Sequence, residues 1–173
     1  MIFLSLGSNL LSRFGDKFDN LNLAISYLYN YKILIDKKSS FYQTPSYPDK
    51  KKPNFINMAI SVKTHLPPVD LFSVLIFIEE KLERKRNMKN DPRTCDIDII
   101  DYNNEIINFN YKNSELVVPH KELTSRNFVL FPLQEILPKW KHPKNKEIIS
   151  TLIQKLPEVD RKSILKIKKN WYN

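Results

Sequence analysis

A chain of 173 residues, 42% hydrophobic and 27% charged, is long enough for one domain with a real core and too apolar to be disordered. Its single cysteine, Cys95, excludes an intrachain disulfide and suits a reducing, cytoplasmic setting; no apolar run approaches the roughly 20 residues that span a bilayer. The net charge of +9 points first to nucleic acid, but it is mostly scattered lysine. The arginines say more, since Arg84, Arg86 and Arg93 crowd one short stretch and a guanidinium grips phosphate through two bonds at once.

In chain order, "IFLSL" reads as a strand and Gly7-Ser8-Asn9 as a turn. The apolar start is brief and has no basic region before it, so it is a first strand rather than a signal peptide. "NLNLAISYLYN" places Leu21, Ile25 and Leu28 at helical spacing, and "YKILIDKKSSFYQTP" carries a second strand. In "NFINMAISVKT", Ile56, Met58, Ile60 and Val62 make one face of a third strand, with Phe55, Asn57 and Ala59 on the other. "PPVDLFSVLIFIEEKLERKR" is the best helix, its stripe formed by Leu71, Val74, Leu75, Ile78 and Leu82 behind two prolines. A polar loop leads to a fourth strand holding Asp96 and Asp98. Beyond Asp101 come an expected hairpin about Asn103-Asn104, the segment "LVVPHKELTSRNFVLFPLQEILP" and a basic amphipathic helix near the end. This β-α-β-β-α-β order is the ferredoxin-like arrangement, an antiparallel sheet with helices on one face, here with C-terminal additions. No linker divides the chain, so residues 1–173 are read as one domain.

The stretch "PRTCDIDIID" is unusual for a strand. Asp96 and Asp98 are two residues apart, so both leave the same face about 6.6 Å apart, and like charges that close repel. With only Gly7 and Gly15 there is no glycine-rich phosphate loop, and three histidines with one cysteine show no zinc spacing. What remains is an oxygen-ligand site. Mg²⁺ takes one or two carboxylates and fills its octahedron with water and phosphate oxygens, so the pair suits Mg²⁺ with a polyphosphate, and Arg84, Arg86 and Arg93 would neutralise transferred charge. Taken alone, the pair also suits a strand with a solvent-facing side. Phe55 and Phe128 also suit a core, and His120 a structural role. Asn57 is disfavoured in a strand unless it has a partner.

Together, "LSLGSNL", "SSFYQTP", "PNFINMAI", "IEEKLERKR", "PRTCDIDII", "VVPH" and "SRNFVLFPL" resemble, in order, the motifs of the 6-hydroxymethyl-7,8-dihydropterin pyrophosphokinases, from residue 2 to about 138. The resemblance implies transfer of the pyrophosphoryl group of ATP to the pterin hydroxymethyl group, releasing AMP, in folate synthesis. It gives Asp96 and Asp98 two Mg²⁺ ions, and makes them catalytic with Arg84 and Arg93. It stacks the pterin between Phe55 and Phe128, edged by Thr44, Pro45, Tyr47 and Asn57. It places Glu79, Arg84, Arg86, Arg93, Ile99, His120 and Arg126 on ATP. It implies a monomer whose partners are these two small molecules, with neither nucleic acid nor membrane. The chain departs from the pattern at Ile76, where a polar residue is usual, at Glu83, where glycine is usual, at Glu115, where a basic residue is common, and in a short loop 87–91. At Glu83 a carboxylate is expected to pair with the neighbouring arginines.

The rival reading is a sheet that stacks nucleic-acid bases. It calls for aromatics on the open face and no acids, and two carboxylates in mid-sheet would repel RNA. An inactive homologue is the other alternative, and the intact set of candidate residues speaks against it.

Overall fold

The computed structural model describes residues 1–47, 49–84, 91–111 and 114–167. The chain starts with β1 (Ile2–Ser8), α1 (Lys17–Asn30), β2 (Leu34–Lys38), β3 (Phe41–Thr44) and β4 (Phe55–Lys63). It continues through α2 (Pro68–Lys81), β5 (Asp96–Tyr102), β6 (Ile107–Tyr111) and β7 (Ser114–Val118). A single 3₁₀ turn (Leu123–Ser125) leads into α3 (Asn127–Ile136), α4 (Ile149–Lys155), α5 (Glu158–Lys162) and β8 (Leu165–Ile167). The class is α+β. The main sheet runs β5-β1-β4-β3-β8, with β2 also on β4, and every pair in it is antiparallel. Among the described residues no helix is long and apolar enough to cross a membrane.

Period-two alternation sorts the strands onto two faces. Leu4 and Leu6 of β1, Ile56, Met58 and Ile60 of β4, and Ile97 and Ile99 of β5 meet Leu21 and Leu28 of α1 and Leu71, Leu75 and Ile78 of α2 in the larger core. α1 starts where its sequence provides a cap. Asp16 accepts the N–H groups of Phe18 (2.7 Å) and Asp19 (3.0 Å), and the Asp19 carboxylate accepts that of Asp16 (2.8 Å).

The structure corrects five expectations. Gly7 and Ser8 are not in a turn but continue β1, paired with Asn57 and Ile56 of β4. The second strand is two, β2 and β3, because Ser39 turns aside and its hydroxyl takes the Ala59 N–H at 3.0 Å. Asn103 and Asn104 do form a turn, both at positive φ (53° and 61°), but β5 does not pair onward through it. The hairpin is instead β6 with β7, a separate two-stranded sheet. Helices are not confined to one face: α3 and α4 pack with Phe3, Ala59 and Ile100 over part of the other, in a second core. Near the end the described residues form no long helix, but two short ones and a strand, β8, that extends the sheet beside β3.

Candidate active site

The second face, part of which lies under α3 and α4, is ordered by register. Asp96 of β5, Gly7 of β1 and Asn57 of β4 lie side by side across three strands, and Asp98, Ser5 and Ala59 make the next row. Small residues in β1 therefore separate the carboxylates from the amide. A Cβ at Gly7 would lie 3.1 Å from Asn57 Oδ1 and 3.6 Å from Phe55 Cδ1, so glycine keeps this floor flat. Thr44 and Asn57 are buried, and Asn57 Nδ2 donates to Thr44 Oγ1 at 3.0 Å, the partner that makes an asparagine tolerable in mid-sheet. Pro45 is half-buried beside them, whereas Tyr47 is 82% exposed and is not part of the floor in this state.

The carboxylates are tolerated because arginines surround them. Arg84 Nη1 lies 2.6 Å from Asp96 Oδ1, Arg93 Nη1 3.4 Å from Asp96 Oδ2, and Arg126 Nη1 3.4 Å from Asp98 Oδ2. The split is unequal. Burial pushes the Asp96 carboxyl up, but Arg84, Arg93 and Arg126 together outweigh it and hold it below the usual range. Burial and the neighbouring Asp96 hold the Asp98 carboxyl above its usual value, against the pull of His120, Arg126 and Arg84. His120 Nε2 is 3.5 Å from Arg126 Nη1, and burial lowers the imidazole's affinity for a proton although Asp98 opposes this.

Two arginines also serve the aromatics. The Arg93 guanidinium lies 5.5 Å from the Phe55 ring centre and that of Arg126 lies 5.5 Å from the Phe128 ring centre. Phe55 and Phe128 are both half-buried and do not touch each other. Arg84 and Arg93 also line a cavity of about 760 Å³, together with Leu10, Glu80, Glu83, Asp91, Pro92 and Thr94.

Ile99 meets a nucleotide through its main chain or not at all. Its side chain is 3% exposed in the larger core, on the opposite face from Asp98, because alternate strand residues point apart, so only its main chain is left for a nucleotide. Arg86 and most of the short loop after it lie outside the described residues. Glu83 stands at φ 65°, the left-handed region that favours glycine. Its carboxylate pairs not with Arg84 but with Arg13, whose Nε is at 3.2 Å and whose main-chain N–H donates at 3.3 Å. Glu115 pairs with Lys121 at 3.1 Å. Sequence reading missed Gly7, Ser5, and two supports of the arginines. Asn9 Oδ1 accepts the Arg93 N–H at 2.7 Å, and Glu122 pairs with Arg126. The asparagine in "GSNL" was the available signal for Asn9.

Fold and site together define an α+β protein whose sheet gathers arginines around a carboxylate pair, next to an aromatic and amide patch. The particular family comes from comparison. The description "7,8-dihydro-6-hydroxymethylpterin-pyrophosphokinase (HPPK)" matches residues 3–138, and the chain belongs to that family. The 2-amino-4-hydroxy-6-hydroxymethyldihydropteridine pyrophosphokinase of Bacillus subtilis is 36% identical over 135 residues, covering 78% of this chain and 76% of that one. The bifunctional protein FolKE of Lactococcus lactis subsp. cremoris is 40% identical over 136 residues, which is 78% of this chain but only 37% of that protein. The structure of Plasmodium falciparum HPPK-DHPS with pteroate superposes with a TM-score of 0.71 at 17% identity, over 89% of this chain and 44% of that one, and so shares the fold.

Proposed function

We infer that this chain transfers the pyrophosphoryl group of ATP to the hydroxymethyl oxygen of 6-hydroxymethyl-7,8-dihydropterin, a step of folate synthesis. The observation that carries the reading is the row Asp96–Gly7–Asn57, in which an arginine-ringed carboxylate and a buried amide stand on one floor, as a polyphosphate and a flat ring side by side would need. The sheet order supports a ferredoxin-like core with its substrate face opposite α1 and α2.

Asp96 and Asp98 are half-buried oxygen donors on one face, the kind of pair Mg²⁺ accepts, so they would hold two Mg²⁺ ions. Magnesium there supplies charge neutralisation to the polyphosphate. The chain's own residues do the rest. Arg84 and Arg93 leave the carboxylates for phosphate oxygens, and Arg126 and His120 take the nucleotide side. Phe55 and Phe128 stack the pterin once the guanidinium groups facing them move onto phosphate, with Asn57 and Thr44 at the ring edge and Pro45 and Tyr47 closing over it. The hydroxymethyl oxygen, giving up its proton to water, bonds to the β-phosphorus as that phosphorus parts from its bridge to the α-phosphate, and AMP leaves with the bridging oxygen. Orientation and charge neutralisation supply most of the rate. We take the enzyme to be a cytoplasmic monomer, one domain over residues 1–173.

Incubation with ATP, Mg²⁺ and the pterin is expected to give AMP and pterin diphosphate in equal amounts, and Asp96→Ala none. ADP in place of AMP would mean ordinary kinase chemistry, and no nucleotide binding at all would sink the reading. A second expectation tests the floor. Gly7→Ala forces Asn57 to give way, so KM for the pterin should rise about tenfold with little change in ATP affinity, a loss of roughly 1.4 kcal/mol. Equal losses for both substrates would show a general folding defect.

A further inference from the structure

Glu79 is a charged residue where α2 should be apolar. It lies next to Ile78 and four residues after Leu75, both in the core, and is itself only 2% exposed. A carboxylate so buried is costly unless it is paired and hydrogen-bonded. Both conditions are met by a single oxygen. Oε1 accepts the main-chain N–H of Ile97 at 2.7 Å and also receives Arg84 Nη1.

These two partners matter by position. Ile97 sits between Asp96 and Asp98 on the edge strand β5, so Glu79 pins the strand at the residue that separates the two carboxylates. Arg84 follows directly from the turn that ends α2, where its N–H donates to the Glu79 carbonyl at 3.0 Å. Its guanidinium then spans Glu79 and Asp96. Arg84 is only 11% exposed, and a planar guanidinium held on two carboxylates has little freedom left.

We propose that Glu79 is a positioning residue rather than a nucleotide ligand: it fixes Arg84 against the end of β5, so that the guanidinium releases Asp96 for a phosphate oxygen while staying anchored. This rests on the pyrophosphokinase reading for the identity of the phosphate, and it revises the placement of Glu79 on ATP that the resemblance implied. An anchored arginine presents its fork with the orientation already set, whereas one held by Asp96 alone would move with the carboxylate it must release.

The test is a double-mutant cycle on Mg·ATP affinity, measured by calorimetry without pterin, and repeated on kcat/KM. Glu79→Gln keeps an acceptor for the Ile97 N–H and loses the charge that holds Arg84. It should weaken Mg·ATP binding about tenfold, and Arg84→Ala about a hundredfold. The double variant should match Arg84→Ala alone, because the glutamine still accepts the Ile97 N–H and the lost charge reaches the nucleotide through Arg84. A thousandfold loss in the double variant would mean that Glu79 meets the nucleotide directly and would overturn the proposal. So would a Glu79→Gln protein with unchanged affinity. If Glu79→Gln does not fold, Arg84→Lys serves instead. It keeps the charge but loses the guanidinium donors left for phosphate while Nη1 is held on Glu79 and Asp96, so a similar tenfold loss with an intact melt is expected, and undiminished affinity overturns the idea. Because Mg·ATP binding is read without pterin, a missing AMP product would indict the functional reading and leave this one standing.

Discussion

Asp98→Asn is expected to cripple pyrophosphoryl transfer and yet raise the melting temperature of the unliganded protein. Among the described residues Asp98, beside Asp96, pairs with Arg126 at 3.4 Å, while Asp96 pairs with both Arg84 and Arg93. Burial and Asp96 hold the Asp98 carboxyl above its usual value. A carboxyl raised in the folded state favours folding at low pH and loses that contribution as pH rises through its folded value, so at neutral pH the ionised Asp98 is a cost. Asparagine removes the charge at nearly the same shape. A gain of about 1 kcal/mol is expected, which for a chain of this size is roughly 2–4 °C. Asp96→Asn should do the reverse. Burial raises that carboxyl but the three arginines lower it further, so its contribution is present at neutral pH and is lost as pH falls through its folded value. Removing its charge also takes from Arg93 the carboxylate it pairs with among the described residues, and the melting temperature should drop. Turnover should fall at least about a hundredfold in both variants. Melts without nucleotide decide the matter: a lower melting temperature for Asp98→Asn would mean that Arg126 compensates Asp98 fully.

Much of this site was legible because strand alternation is a local rule. Once "DIDI" and "FINMA" are read as strands, Asp96, Asp98, Phe55 and Asn57 must share faces as they do. The stripe on α2 was equally plain, though the same stripe should have shown that Glu79, four residues after Leu75 and three before Leu82, points inward. Register was not legible. That Gly7 separates Asp96 from Asn57 depends on which residues of three strands stand opposite one another, and no single segment encodes that. Ile99 was placed on the nucleotide by family pattern although its own alternation with Asp98 sends its side chain to the core. The split at Ser39 and the partner of Glu83 are set by contacts with Ala59 and Arg13, far away in sequence. The second core was hidden for the same reason. "NFVLFPLQEI" reads as an apolar helix, but nothing in it says that Phe3, Ala59 and Ile100 are its partners.

Ending the chain after Pro138, where the family match stops, is expected to leave a protein that does not fold, although every candidate site residue would be retained. The tail supplies Trp140, Ile149, Leu152, Ile153 and Leu156 to the second core, none more than 8% exposed. At about 1.5–3 kcal/mol for each buried side chain, their loss rivals the roughly 5–15 kcal/mol that holds a whole domain together. The tail also carries β8, which covers the outer edge of β3. A point variant separates packing from the rest. Trp140 Nε1 donates at 2.7 Å to Asp101 Oδ2, and Asp101 is 1% exposed. Trp140→Phe keeps most of the apolar contact but leaves that buried carboxylate oxygen without its donor, at a cost of about 1–3 kcal/mol. The melting temperature should fall by roughly 2–10 °C, while transfer well below the melt stays close to that of the parent, because Trp140 packs with α3 and α4 away from the floor. A truncated chain that melts cooperatively and still converts ATP to AMP would show instead that the second core is an accessory, and that the larger core beneath α1 and α2 holds the site by itself.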